Sequence, residues 1–298
     1  MFEECYELDD ATLGLVHSQR YLETVKREVE RVEGFAELST GDVTIDASSN
    51  VVARRAAGSA VRAYERTISD GAPSFALVRP PGHHALPERG MGFCLFNNVG
   101  VVARHARACS GKRIAILDID YHHGNGTQAL VGDGISYISS HAWPAYPGSG
   151  SAAEQTVTSS GDILLNLPID PRGISTEGFV ALWDSVATFM ERYVRPEVLL
   201  VSAGFDYVRG DPVGDLGIEV GAARDLARIF ARLAASLDAP LLYVLEGGYN
   251  IDAIASSILA IAEVHSASTL GEHGAQVHAI PAELRAIIAG SQERYRSR

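Results

Sequence analysis

Six short apolar runs, spaced by longer amphipathic stretches, are what most restricts how this chain can fold. Residues 75–78, 113–118, 135–139, 163–167, 198–202 and 241–245 are short and apolar, and several are rich in β-branched side chains. Between most of them lie segments with helical periodicity, such as 51–68, 99–108, 179–193 and 222–237. Runs that are apolar throughout are buried on both faces, and strands of that kind alternating with helices build a parallel sheet covered on both sides. The expected architecture is three-layer α/β/α, with a central, mostly parallel sheet of about 6–8 strands. Gly34, Gly71 and Gly111 follow helical runs as C-terminal caps, and Pro281 fits the first turn of a last helix. Residues 20–32 read as a helix, and 41–50 as loop or a short strand. At 298 residues the chain could form one large α/β domain or two small ones. No linker, repeat or low-complexity segment divides it, so a single domain over 1–298 is expected.

Composition narrows the function classes. A run of about 18 apolar residues is absent, and so is a charged-then-apolar leader, so neither membrane insertion nor secretion is indicated and the cytoplasm is the default. Cys5, Cys94 and Cys109 lack CxxC spacing and read as reduced thiols. The formal net charge of −12 argues against direct nucleic-acid binding, which needs a basic face. It suits attraction of a cationic substrate, although a solvated acidic surface is the commoner explanation.

The polar residues fall where the strands end. His83 and His84 follow the first run, and Asp118, Asp120 and His122 close the second. His141 follows the third, Asp206 the fifth, and Glu246-Gly-Gly-Tyr249 the sixth. Ligands of open parallel sheets bind beyond the carboxyl ends of the strands, so five strand ends deliver ionisable or phenolic groups to one edge. Asp118, Asp120 and His122 stand at i, i+2 and i+4, a spacing that puts them on one face of an extended chain. Carboxylates crowded with an imidazole need something positive among them, and a divalent metal is the usual answer. If Asp120, His122 and Asp206 are the ligands, a position stays free for water, as in a catalytic zinc site, with Asp118 orienting a histidine. Ligation by O and N without thiolate also suits Fe(II), Co(II) or Mn(II).

Five blocks then resemble the signature blocks of the histone deacetylase family. They are Arg79-Pro-Pro-Gly-His-His-Ala85, Gly92-Phe-Cys-Leu-Phe-Asn-Asn98, Asp118-Ile-Asp-Tyr-His-His-Gly-Asn-Gly-Thr127, Ser202-Ala-Gly-Phe-Asp206 with Gly210-Asp-Pro212, and Leu245-Glu-Gly-Gly-Tyr-Asn250. The likeness is closest to the class II branch and the bacterial and archaeal deacetylases similar to it, and it implies the arginase/deacetylase fold. It makes Asp120, His122 and Asp206 the metal ligands, with zinc as cofactor and Fe2+ or Co2+ as alternatives. His83 and His84 become the tandem histidines, partnered by Asp118 and Asn125, and Tyr249 the hydroxyl that polarises the scissile carbonyl. Gly92 and Phe93 with Tyr146, which stands where many relatives have Phe, match the wall of the acyl-lysine channel. Oxygens around Asp118, Asp120, His122, Ser139 and Ser140 resemble the family's structural potassium site.

The resemblance implies metal-dependent hydrolysis of an acylated lysine peptide or protein, or of a small acylated amine. One histidine takes a proton from water and one hands a proton to the amine. On the sequence alone a neutral His83 is the acceptor, because Asp118 stabilises the cation so formed, and His84 is the donor. An acetylpolyamine amidohydrolase is the nearest alternative; Val213 weakens it, since it stands where a polyamine-selective relative carries an acidic gatekeeper. An arginase-like hydrolase needs further aspartates for two metals, and a non-catalytic acyl-lysine binding module should have lost a ligand or the tyrosine. Only residues 1–14 precede the stretch Leu15-Val-His-Ser18, where most relatives have a longer segment. One wall of the channel mouth is then missing or supplied by a neighbouring subunit, as in a homo-oligomer. His17, His105, His265, His273 and His278 read as surface or structural histidines. The glycines at 124, 126, 247 and 248 lack phosphate-loop spacing and give backbone room beside the site.

Overall fold

The computed structural model describes residues 6–267 and 280–297, which leaves Cys5, His273 and His278 outside the described residues. In chain order the elements are α1 (Asp10–Leu13), α2 (Gln19–Arg31), β1 (Ala36–Glu37), β2 (Thr44–Ile45), α3 (Ser49–Asp70), β3 (Ser74–Ala76), α4 (Asn98–Ser110), β4 (Ile114–Asp118) and α5 (Asn125–Gln128). They continue with β5 (Ile135–Ala142), β6 (Thr156–Val157), β7 (Ile163–Ile169), α6 (Thr176–Phe189), β8 (Val198–Ala203), α7 (Ala222–Leu237), β9 (Leu241–Leu245), α8 (Ile251–Ser266) and α9 (Ala282–Arg296).

Among the described residues the main sheet has seven strands in the order β3-β9-β8-β4-β5-β7-β6, all parallel to their neighbours except β6. Every residue of β4, β5 and β8 is buried; β4 and β8 are apolar up to Asp118 and Ser202, while β5 buries Ser136, Ser139, Ser140 and His141, each with a hydrogen-bond partner. The period of two assigns each side chain to a layer. Ile114 and Ile116 of β4, Val198 and Leu200 of β8, and Leu242 and Val244 of β9 pack into the core under α2, α3 and α4. Their alternates Ala115, Leu117, Leu199, Val201, Leu241 and Tyr243 pack into the core under α6, α7, α8 and α9. The three-layer mostly parallel architecture is therefore as expected. No helix among the described residues is long and apolar enough to cross a membrane.

Several boundaries move for local reasons. Gly71 and Gly111 do cap α3 and α4 in the left-handed region, at φ +67° and +69°, and donate their N–H to Thr67 and Arg107. Gly34 is not a cap: α2 stops at Arg31 with an extended Val32, and Gly34 (φ +77°) turns the chain towards β1. Residues 41–50 hold β2, which pairs antiparallel with β1, and the start of α3. The helix expected over 179–193 begins at Thr176 and, past Phe189, widens into one π-turn over Met190–Val194. Pro281 sits one residue before the first turn of α9.

Candidate active site

β4 ends at Asp118 and the chain then bends, so the three acidic and imidazole groups do not share one face of a strand. Asp118 keeps the direction of Ile114 and Ile116; its Oδ2 accepts from Tyr137 Oη at 2.7 Å and lies 3.1 Å from His83 Nδ1. The bend brings Asp120 and His122 to Asp206 instead. His122 Nδ1 is 2.9 Å from Asp206 Oδ2 and 3.3 Å from Asp120 Oδ1, and Tyr121 N–H donates to Asp206 Oδ1 at 2.8 Å. One ligand atom from each of Asp120, His122 and Asp206 falls within 4.8 Å of the others, a donor set that suits a divalent ion.

The neighbouring turns are built around this cluster. Gly247 N–H donates to Asp120 Oδ2 at 2.7 Å, and a Cβ on Gly247 would lie 2.5 Å from Asp206 Oδ2 and 2.6 Å from Asp120 Oδ2, so only glycine fits. Two residues further on is Tyr249. Its N–H and that of Asn250 donate to Asp211 Oδ2 at 2.7 and 2.9 Å, while Asp211 Oδ1 accepts from Val213 and Gly214 at 2.9 and 3.1 Å. Residues 79–87, which carry His83 and His84, are held by Asn98 on the Pro80 carbonyl, Asn97 on Ala85, Thr127 N–H on His83 and the ring of His17 on Leu86. His84 Nδ1 lies 2.9 Å from Asn125 Oδ1.

Burial and charge set the protonation of the metal-free cluster. Burial alone would disfavour a charged His83, but Asp120 and Asp118 outweigh it and raise its pKa to about 10. His84 is driven far the other way by burial and by the His83 charge. Burial lifts Asp206 to about 7, helped by Asp120. His122 rises to about 9 against the same desolvation, because both carboxylates bond to it. Asp120 resists burial and stays below the usual carboxylate range next to His83 and His122. Tyr249 is pushed up, first by burial and then by Asp120 and Asp206, so it remains a phenol that can donate.

His83, His84, Asp120, His122 and Tyr249 floor a cavity of about 510 Å³ walled by Gly92, Phe93, Tyr146 and Val213, and Asp206 is fully buried next to His122. Phe93 is held at φ +67°, which costs a non-glycine residue roughly 1–2 kcal/mol and sets its ring 5.9 Å from that of Tyr249. Tyr146 meets the His84 ring edge-on at 5.1 Å. Asp42, which the sequence did not single out, ties the mouth together: one oxygen accepts from Gly92 N–H and the other from Tyr146 Oη, both at 3.0 Å. No local pattern marks it, because its partners lie 50 and 104 residues away in the chain.

One strand-end expectation is corrected. His141 is part of β5, and its ring is turned from the cavity, bonding Ser139 Oγ at 2.8 Å and the Gly150 carbonyl at 2.9 Å. Ser139 shares the face of Asp118, and the Ser140 hydroxyl faces α6 and accepts from Trp183 Nε1 at 3.0 Å, which leaves the Ser140 backbone carbonyl as the oxygen it could offer an ion. His17 is a buried structural histidine between Leu86 and Asn97, and His265 bonds Tyr243 Oη. His105 stands at the surface near Glu65.

Known proteins resemble this chain in sequence and in fold. The family model of the histone deacetylase domain matches residues 2–265. Histone deacetylase 10, chloroplastic, of Oryza sativa subsp. japonica is 35% identical over 264 residues, which cover 84% of this chain and 59% of the rice protein. Polyamine deacetylase HDAC10 of Mus musculus is 33% identical over 266 residues, covering 85% of this chain and 39% of its own. The chain thus spans less than two thirds of either relative. In three dimensions the crystal structure of the HDA15 HD domain matches with a TM-score of 0.83 at 29% identity, over 99% of this chain and 82% of that one.

Proposed function

The chain belongs to the histone deacetylase family, and from that premise we propose that residues 1–298 form one metal-dependent deacetylase domain acting on acylated primary amines, acyl-lysine foremost. The observation that carries this reading is the closeness of Asp120, His122 and the fully buried Asp206, the first two lining a cavity that His83, His84 and Tyr249 line as well. When bound there, a zinc-type ion supplies an acidified water and draws charge from the carbonyl oxygen.

The chain's own residues do the rest. Phe93 and Tyr146 flank the aliphatic stem of the substrate, and Tyr249 donates its phenolic proton as a hydrogen bond to the carbonyl oxygen as that oxygen gains charge. Removing such a donor typically costs 100- to 1000-fold in rate, as an order of magnitude. Asn125 Oδ1 accepts the Nδ1 proton of His84, which leaves the Nε2 lone pair towards the cavity. His84 therefore takes the proton from water as the new C–O bond forms, and gives it to the amine nitrogen as the C–N bond breaks. His83, its Nδ1 3.1 Å from Asp118, is the imidazolium that stabilises the oxyanion. This reverses the assignment drawn from the sequence, because the Asp118 carboxylate favours a charged His83, whereas His84 has only an amide beside it and stays neutral and able to accept a proton. For potassium, the oxygens around Asp118, Asp120, His122 and Ser139, with the Ser140 carbonyl, remain the candidates.

Release of free amine from an acetyl-lysine peptide and from acetylputrescine, by metal-loaded protein, tests the reading. Activity on the peptide that disappears in Tyr249→Phe and Asp206→Ala supports it, and a preference for acetylputrescine would move the assignment to small amines. Silence on both with metal bound would refute it.

A further inference from the structure

One buried carboxylate has no part in the steps above. Glu246, the first residue after β9, is 4% exposed. Its Oε2 accepts from two successive backbone amides, Gly82 N–H at 2.6 Å and His83 N–H at 3.0 Å, and its Oε1 accepts from Ser202 Oγ at 3.3 Å. The other ties on residues 79–87 grip carbonyl oxygens: Asn98 holds Pro80, Asn97 holds Ala85, Thr127 holds His83 and His17 holds Leu86. They fix the turn from its acceptor side, and Glu246 fixes it from its donor side. The same four residues that begin with Glu246 also place Gly247 N–H on Asp120 and carry Tyr249.

We propose that Glu246 is a positioning residue that clamps the tandem-histidine turn to the Tyr249 turn, holding the imidazoles and the phenol in register across the cavity. The inference rests on the deacetylase reading above for the purpose of the clamp. The geometry explains why a carboxylate is used: one oxygen with two lone pairs meets two adjacent N–H groups that are buried and would otherwise lack an acceptor. Misplacing reacting groups by about 1 Å can cost on the order of 100-fold in rate, so the clamp is felt in turnover more than in substrate binding.

Glu246→Gln keeps an amide oxygen for both N–H groups, whereas Glu246→Leu keeps the volume and removes the acceptor. With the metal-loaded enzyme and an acetyl-lysine peptide, the Gln variant should stay within about 5-fold of wild-type kcat. The Leu variant should lose about 100-fold in kcat with KM changed by less than about 3-fold. Independently of activity, amide hydrogen exchange at Gly82 and His83 should quicken about 10-fold in the Leu variant and not in the Gln variant. Equal losses in Gln and Leu, or unchanged exchange in Leu, would overturn the proposal. Should the Leu variant fail to fold, Glu246→Asp decides. It draws the carboxylate back by one methylene and should quicken exchange at the same two amides, and unchanged exchange there overturns the clamp. If wild-type protein hydrolyses no acylated amine while the exchange pattern holds, the deacetylase reading fails and the clamp stands.

Discussion

Asp211→Ala should unfasten Tyr249 without touching the cavity floor. The carboxylate accepts four backbone N–H groups at 2.7–3.1 Å, two from each of the turns that meet at the mouth. Hydrogen bonds contribute a net of about 0.5–1.5 kcal/mol each as a rule and about 1.5–3 kcal/mol to a charged group, with about 1–3 kcal/mol lost for each donor left buried and unpaired and less where water replaces the acceptor. Val213 is 47% exposed, so water can reach part of the vacated space, and we take the total as about 4 kcal/mol. An unfolding entropy of about 2.1 cal/mol/K per residue gives roughly 0.6 kcal/mol/K for 298 residues, hence a fall in Tm of about 6–7 °C. Asp211→Asn retains one acceptor oxygen and should lose about half as much. Calorimetry of the metal-loaded protein measures the shift, and steady-state kinetics should show kcat down about 10- to 100-fold as Tyr249 drifts. A Tm within about 1 °C of wild type with kcat unchanged would refute the reasoning.

Gly247→Ala should abolish divalent-metal retention after dialysis and lower kcat more than about 100-fold, since its methyl group would press on both candidate carboxylate donors; retention of one equivalent of metal per chain would contradict this. Tyr146→Phe removes a hydroxyl bonded to Asp42 on a residue 39% exposed, so kcat should hold and only KM should move, by a few-fold; a tenfold loss in kcat would place the hydroxyl in the chemistry. Burial draws His17 down to about 4 and likewise lowers His123 to about 4 and His141 to about 3. Their folded pKa values lie below the unfolded value of 6.5, so the stability they contribute is full above that pH and is lost as pH falls towards 4, His17 alone accounting for on the order of 3 kcal/mol. Urea midpoints for wild type and His17→Gln between pH 7 and 4.5 isolate that share: the variant should show the shallower dependence, and parallel slopes would count against it.

Much of the architecture was legible because it is local. The runs at β4, β8 and β9 are almost wholly apolar, the usual composition of a strand buried on both faces. The blocks at the strand ends carried nearly all the cavity floor for the same reason, since each block sits on its own turn. What could not be read is long-range. Asp42 joins the mouth through partners far along the chain, and Glu246 was visible only as a member of its motif, its two amide partners being 163 and 164 residues away. His141 misled because a strand was ended three residues early, which turned a histidine inside β5 into one beyond it. The i, i+2, i+4 spacing was physically sound for an extended chain, but the bend after Asp118 redirected Asp120 and His122 by another route.

The order of the strands divides the protein into what can change and what cannot. β4 is the middle strand of seven, locked in register by β8 and β5, and it ends in the residues of the chemistry. The mouth is assembled from Asp42 in the β1–β2 connection, Tyr146 past β5 and Val213 past β8, segments that the sheet carries without being held up by them. A lineage could therefore exchange the rim piece by piece, trying new amines against an unaltered reaction, and a protein engineer could do the same by grafting those three loops, provided the one that bears Val213 keeps Asp211.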